Sequence, residues 1–287
     1  MNIDDLLAAS ALQLTCAGIE DASLDARLLF QHLTAMTRSR LVLQGKQSVD
    51  DCTLQQYRRL VEQRSQRIPL QHLTGSQEFW SLDFAVSPAV LIPRPETEFL
   101  LEQVFAVCSV SSAISCALDM CTGSGVIAVV LARELGCRVT AVDISEAALV
   151  VAAENSNRHH VADQIALVCS DLFAALNLRR KFDLIVSNPP YIADDQIEDL
   201  EPEVSRSEPR LALSGGPTGM RLIEQIAVGA EWILQPDGWI FLEIGADQKN
   251  AVTALFKDPR RQYDEVRVID DWSGRPRVLQ ARYAPNS

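Results

Sequence analysis

The chain has 287 residues, 47% of them hydrophobic and 22% charged, which is an ordinary globular balance and enough length for two domains. Its net charge of −12, from 26 basic and 38 acidic side chains, excludes an overall basic surface of the kind that grips nucleic acid unaided, and favours a small molecule or a basic protein as partner. The opening Met1-Asn2-Ile3-Asp4-Asp5 carries acids where a secretory signal carries lysine or arginine, and the longest apolar run, Val126 to Ala132, is too short to span a bilayer, so a soluble cytoplasmic protein is expected. The 7 cysteines form no C-x-x-C pair and no zinc-ligand spacing, and the expectation is reduced thiols with neither disulfide nor metal.

In chain order, residues 1–75 read as a helical bundle. Ala26, Leu29, Phe30 and Leu33 make one apolar stripe, and Leu54, Tyr57, Leu60 and Val61 make another behind a capping-box pair, Thr53 and Gln56. Residues 76–92 turn aromatic and β-prone, with Phe79, Trp80, Leu82, Phe84 and Val86, a break at Ser87-Pro88, and a return at Val90-Leu91-Ile92. The spacing predicts a hairpin acting as a rigid connector. A third region, 93–287, alternates strands and helices as a parallel sheet covered on both faces does. Strands are predicted at 116–120, 138–142, 165–169, 183–187, 238–244, 265–269 and 277–283, with helices near 126–135, 146–158, 218–234 and 247–257. Asp237-Gly238 marks a turn into the fifth strand, and the short Trp272-to-Pro276 loop makes the last two strands an antiparallel pair.

Asp119-Met120-Cys121-Thr122-Gly123-Ser124-Gly125 follows a predicted strand and opens a helix, where glycines let a ligand approach the backbone and the helix N-terminus offers free N–H groups. Asp143 ends the next strand at the distance from which a carboxylate reaches a ribose. Gly123, Gly125 and Ala128 also satisfy the dinucleotide fingerprint, so a dehydrogenase, or a tight turn with no ligand, stays open at this point. Asp119 shifts the balance, because an acid at the strand end suits a cationic ammonium ligand better than a pyrophosphate; this points towards S-adenosylmethionine.

Asp183 to Ser187 reads as a buried strand running directly into Asn188-Pro189-Pro190-Tyr191. Open α/β sheets bind ligands beyond the carboxyl ends of their strands, which puts this tetrad at the mouth of the same cleft as the glycine loop. Two prolines remove two N–H donors and leave carbonyl acceptors, Asn188 adds a side-chain oxygen, and Tyr191 offers a flat face to a planar group. Such acceptors suit a planar amino group whose lone pair is delocalised. Held out of plane by its hydrogens, that nitrogen exposes its lone pair to an electrophilic methyl. Positioning carries this chemistry, and no classical general base is assigned. The competing reading of the tetrad is a proline-rich turn ending a buried strand.

With these residues the chain resembles the methyltransferases that modify the glutamine of the Gly-Gly-Gln motif in peptide chain release factors. The resemblance extends over almost the whole chain and includes Leu91-Ile-Pro-Arg-Pro-Glu-Thr-Glu98, Glu208-Pro-Arg-Leu-Ala-Leu213 and Leu242-Glu-Ile-Gly245. It implies a seven-stranded, mostly parallel, Rossmann-like methyltransferase sheet with an N-terminal helical substrate-recognition domain. It also implies that Asp119, Cys121, Thr122, Gly123, Ser124 and Gly125 bind the methionine part of S-adenosylmethionine, Asp143 the ribose, and Asp171 with Leu172 the adenine edge. Asn188, which also borders the cofactor, Pro189, Pro190 and Tyr191 would hold the glutamine amide, with Asn188, Pro189 and Tyr191 as the catalytic set. Thr97 either reaches the cofactor carboxylate or caps a helix; Arg94 either positions the cleft or merely pairs with a carboxylate.

Two positions depart from the family: Cys121 stands where glycine is usual, and Leu172 replaces a common aromatic. The first is shared with a relative acting on a ribosomal protein, which stays an alternative substrate, as does adenine or cytosine in nucleic acid. Finally, Asp194 to Glu203 holds six acids in ten residues, either a recruiting surface for a basic protein or a solvated loop.

Overall fold

The computed structural model describes residues 1–108, 114–177, 179 and 181–285, and these form two compact units. The first comprises Met1–Ser76 together with Glu201–Ser207. Its helices are α1 (Ile3–Cys16), α2 (Ala22–Thr34), α3 (Arg38–Gln44), α4 (Asp51–Ser65) and α5 (Leu70–Thr74). The apolar stripes meet in one core: Leu6 and Leu14 of α1, Leu29 and Phe30 of α2, and Tyr57 and Val61 of α4. The Phe30 and Tyr57 rings pack edge to face at 5.2 Å, and the buried Tyr57 hydroxyl donates to Ala26 O at 2.9 Å. Asp50, rather than the expected Thr53, caps α4; its carboxylate accepts Thr53 N–H at 3.0 Å, which starts the helix earlier than the capping-box reading.

Residues Glu201–Ser207 complete this unit through charge. Arg64, 8% exposed, donates to Asp25 at 2.7 Å and to Glu203 at 2.8 Å. Arg67 donates to Glu203 at 2.7 Å and Glu201 at 2.9 Å. A guanidinium this buried needs such partners, because a lone buried charge costs several kcal/mol. Within the acidic segment Glu203 is spent on these arginines, Asp194 accepts the Ser214 hydroxyl and Ile197 is buried, while Asp195, Glu198, Asp199 and Glu201 remain exposed, Glu198 pairing with Arg210 at 3.2 Å.

The second unit, Gln77–Leu200 with Glu208–Ser287, begins in a hairpin of β1 (Ser76–Phe79) and β2 (Leu82–Ala85). Trp80 and Ser81 both take φ of 56°, the mirror-image geometry that a two-residue hairpin loop requires. No Asn-Gly announces this turn; instead Trp80 packs on Phe105 at 5.5 Å and its N–H donates to Glu98 at 2.6 Å. Val90-Leu91-Ile92 is not a strand, and the hairpin ends at Ala85. Phe79 and Phe84 belong to the core of this unit, so residues 77–92 are part of it rather than a connector.

The chain continues through α6 (Pro95–Cys108), β3 (Cys116–Met120), α7 (Val126–Leu135), β4 (Arg138–Asp143), α8 (Glu146–Arg158), β5 (Ile165–Cys169) and β6 (Phe182–Ser187). After the short α9 (Pro202–Ser205) of the first unit come α10 (Arg221–Ile233), β7 (Leu234–Glu243), α11 (Lys249–Phe256), β8 (Tyr263–Asp270) and β9 (Pro276–Tyr283). The seven strands β3 to β9 form one sheet in the order β5-β4-β3-β6-β7-β9-β8, parallel except for β9, which runs antiparallel to both its neighbours. The expected turn at Asp237-Gly238 is instead a register shift inside β7.

Side chains alternate between two cores, as a strand buried on both faces demands. Ala117, Leu184, Val186 and Phe241 face α6 and α7, while Leu118, Ile185, Ile240 and Leu242 face α10 and α11. The order reverses between β3 and β6, and the crevice beyond their carboxyl ends is where such sheets bind ligands. Among the described residues no helix is long and apolar enough to cross a membrane.

Candidate active site

β3 leads into the glycine loop, which its own side chains brace. Asp119, fully buried, accepts the Thr122 hydroxyl and the Ala128 N–H, the latter at 3.1 Å, both on Oδ2. Its Oδ1 is buried without a partner, and burial pushes the carboxyl up from 3.8 to about 7. Gly125 has φ of 81°, and a Cβ there would lie 3.0 Å from Ala152 Cβ, so α8 packs directly on the loop. Gly123, at φ 55°, has nothing within 4 Å of where its Cβ would be; the backbone there is open to a ligand.

Cys121 holds the left-handed conformation at φ 63°, which accounts physically for glycine being usual at this position. Burial and the charges of Asp143 and Asp119 push its thiol up, so it stays protonated and is no nucleophile. Asp143 stitches the loop to β4, accepting Gly123 N–H on Oδ2 and Ser145 N–H on Oδ1, each at 2.9 Å. Each oxygen keeps a lone pair for a further donor. Behind the loop, the wholly buried Asn155 of α8 donates to Ser124 O at 2.8 Å and Ala85 O at 3.0 Å, and accepts Ala85 N–H at 2.7 Å.

The tetrad emerges from β6. Asn188 Nδ2 donates to Thr97 Oγ1 at 3.0 Å, and Thr97 in turn donates to Glu243 Oε2 at 2.7 Å. The Tyr191 hydroxyl donates to Glu243 Oε1 at 3.1 Å. Burial pushes the Glu243 carboxyl up, opposed by the Thr97 hydroxyl, the positive Arg277 and the Tyr191 hydroxyl; burial and the Glu243 charge push the Tyr191 phenol up. Thr97 is therefore neither helix cap nor free polar group: it lies inside the first turn of α6 with its hydroxyl committed. Arg94 pairs with the buried Glu208 at 2.7 Å and also lines the cleft.

One cleft gathers most of these residues. Cys121, Thr122, Gly123, Ser124, Asp143, Asp171, Leu172, Asn188 and Pro190 line it. Asp119, Gly125, Pro189 and Tyr191 do not; they stand behind the wall, as brace, packing point, link and hydrogen-bond donor to Glu243. Tyr191 is not among the residues that line the cleft, and its hydroxyl is tied to Glu243. Sequence reasoning quoted Glu243 without a role and passed over Asn155 and Ile144, a half-exposed isoleucine on the cleft wall directly after Asp143. An apolar residue following the strand-end acid was the available signal for Ile144; Asn155, one polar residue in an ordinary helix, left none.

The model of the PrmC N-terminal domain matches residues 5–75, and that of the methyltransferase small domain matches residues 96–215. The release factor glutamine methyltransferase of Moorella thermoacetica is 39% identical over 282 residues, covering 98% of both chains. That of Cereibacter sphaeroides is 40% identical over 283 residues, covering 98% of this chain and 99% of its own. A methyltransferase from Pyrococcus furiosus shares the fold, with a TM-score of 0.53 at 20% identity over 71% of this chain and 90% of its own. With the helical unit, the methyltransferase sheet and near-complete coverage all in agreement, the chain belongs to the release factor glutamine methyltransferase family.

Proposed function

We propose that this methyltransferase moves the methyl group of S-adenosylmethionine to the side-chain amide nitrogen of a glutamine, that of the Gly-Gly-Gln motif in peptide chain release factors. The observation that carries the reading is a pair of acceptors, Asn188 and the donor-free Pro190, bordering the same cleft as the open backbone of Gly123 and the carboxylate of Asp143. The donor set fits the cofactor. Asp143 has unused lone pairs for ribose hydroxyls, and the open backbone at Gly123 lets an amino-acid group approach the loop that Asp119 braces from behind. Ile144 and Leu172 add apolar wall suited to a base edge.

S-adenosylmethionine bound there supplies an electrophilic methyl group. Everything else falls to the chain, which aligns the glutamine amide and accepts its hydrogens. Orientation of two substrates supplies up to about 7–11 kcal/mol. Each hydrogen bond that tightens as the nitrogen becomes tetrahedral adds about 1–3 kcal/mol. The test is methyl transfer from labelled S-adenosylmethionine to purified release factor, ribosomal protein, DNA and RNA in parallel. Label is expected on the release factor and is lost when its Gly-Gly-Gln glutamine is changed to alanine. Label on ribosomal protein or nucleic acid instead would overturn the substrate assignment.

A further inference from the structure

We propose that Glu243 is a positioning residue that, through Thr97, decides which end of the Asn188 side-chain amide faces the substrate. The inference rests on the reading of Asn188 as the acceptor for the glutamine amide. Parallel pairing of β6 with β7 sets Ser187 beside Leu242, and each strand's next residue is a member of the pair in question, Asn188 and Glu243. Glu243 is 1% exposed; the positive Arg277 and the two hydroxyls around it oppose the upward push of burial and favour the ionised form, which only accepts hydrogen bonds. It receives two, from the hydroxyls of Thr97 and Tyr191. Thr97 owns a single hydroxyl hydrogen, and Glu243 takes it. The Thr97 oxygen can then only accept, so Asn188 must turn its NH2 end towards it, at 3.0 Å.

The consequence for the cleft is a matter of polarity rather than shape. The two flips of an asparagine amide occupy nearly the same volume, so packing alone selects poorly between them. With the NH2 end held by Thr97, the Oδ1 end is left for a donor in the cleft that Asn188 and Thr97 both line. A glutamine amide presents N–H donors, which Oδ1 accepts. With the amide flipped, the NH2 end would meet those donors head on, and a buried donor pair without an acceptor is costly. Tyr191 contributes by holding the other carboxylate oxygen, which fixes the plane of Glu243.

The test uses the full chain and reads kcat and KM for the protein substrate alongside cofactor affinity and circular dichroism. Thr97→Val keeps the volume but breaks the relay, and Glu243→Gln offers only one acceptor to two hydroxyls. Both are expected to lower kcat by about 100-fold, the scale of a misplaced reacting group, with cofactor affinity changed by no more than about threefold. Thr97→Ser retains the hydroxyl and should restore most of the turnover that Thr97→Val loses. Should Glu243→Gln fail to fold, the two Thr97 variants decide the matter alone. Equal losses in Thr97→Val and Thr97→Ser, or undiminished turnover in Thr97→Val, would overturn the relay. Asn188→Ala separates the two levels of the argument. If it is inactive while Thr97→Val is active, only the relay fails; if it is fully active, the amide-grip reading fails and the relay with it.

Discussion

Two carboxylates of the glycine loop carry opposite demands. Asp143 is saturated by backbone N–H groups on one lone pair of each oxygen, so it holds the loop and offers the rest of its capacity to a ligand. Asp143→Ala should weaken S-adenosylmethionine binding by about 2–3 kcal/mol, the usual worth of charge-assisted hydrogen bonds, as read by calorimetry. Unchanged affinity would remove Asp143 from the cofactor site. Asp119 is instead held uncomfortably: buried, with one oxygen orphaned, and titrating near about 7 against an ordinary 3.8. The folded chain retains a proton that the unfolded chain has released between those two values. Its contribution to ligand-free stability is therefore full below the lower value and is lost as pH rises through the upper one. Asp119→Asn should flatten that part of the stability profile while weakening cofactor binding. Thermal melts of the ligand-free variant at about pH 5 and about pH 8 that differ as much as those of the unaltered protein would refute it. The residue types of this site were legible because strand-end acids and glycines have few other uses there. Glu243 and Thr97 were not, because a glutamate at a strand end and a threonine in a helix gain meaning only once β7 and α6 are brought against β6.

At the level of elements, regular pieces were the readable ones. β3, β5, α7 and α8 lie where the apolar periodicity put them; β3 and α7 are buried runs, and α8 begins at a serine cap. The hairpin and its connection were less readable, because their geometry is imposed by packing: Trp80 tolerates φ of 56° against Phe105, and Val90 and Ile92 are buried without pairing to any strand. What locks the hairpin is Asn155, which ties both backbone groups of Ala85 to the carbonyl of Ser124. Asn155→Ala leaves those buried groups unpaired and should cost about 2–4 kcal/mol in urea denaturation, at about 1–3 kcal/mol per orphaned group with partial relaxation. It should also loosen the glycine loop and weaken cofactor binding. A variant with unaltered stability would show that β2 and the loop are held independently.

For the molecule as a whole, the helical unit is proposed to recognise the protein substrate, since every chemical group named above lies in the second unit. A chain starting at Gln77 should bind S-adenosylmethionine, lose most turnover on intact release factor, and lose much less on a short Gly-Gly-Gln peptide. Full activity on the intact protein from a folded truncation would end the recognition role. The sequence read as three successive pieces, and it hid the return of a mid-chain segment to the first unit. Glu201–Ser207 sits among acids that look like any solvated loop, and only Arg64 and Arg67 on α4 and just beyond it reveal where it belongs.

That segment also governs how such proteins can exchange parts. A front piece ending at residue 76 looks like a cassette, yet the same unit claims seven residues from the middle of the chain, 201–207. A chimaera taking only the first stretch from a relative would set the donor's basic side chains against the host's acids, which have been selected with other partners. Both stretches have to travel together, and paired changes at Arg64, Arg67, Glu201 and Glu203 are the expected trace of that joint inheritance.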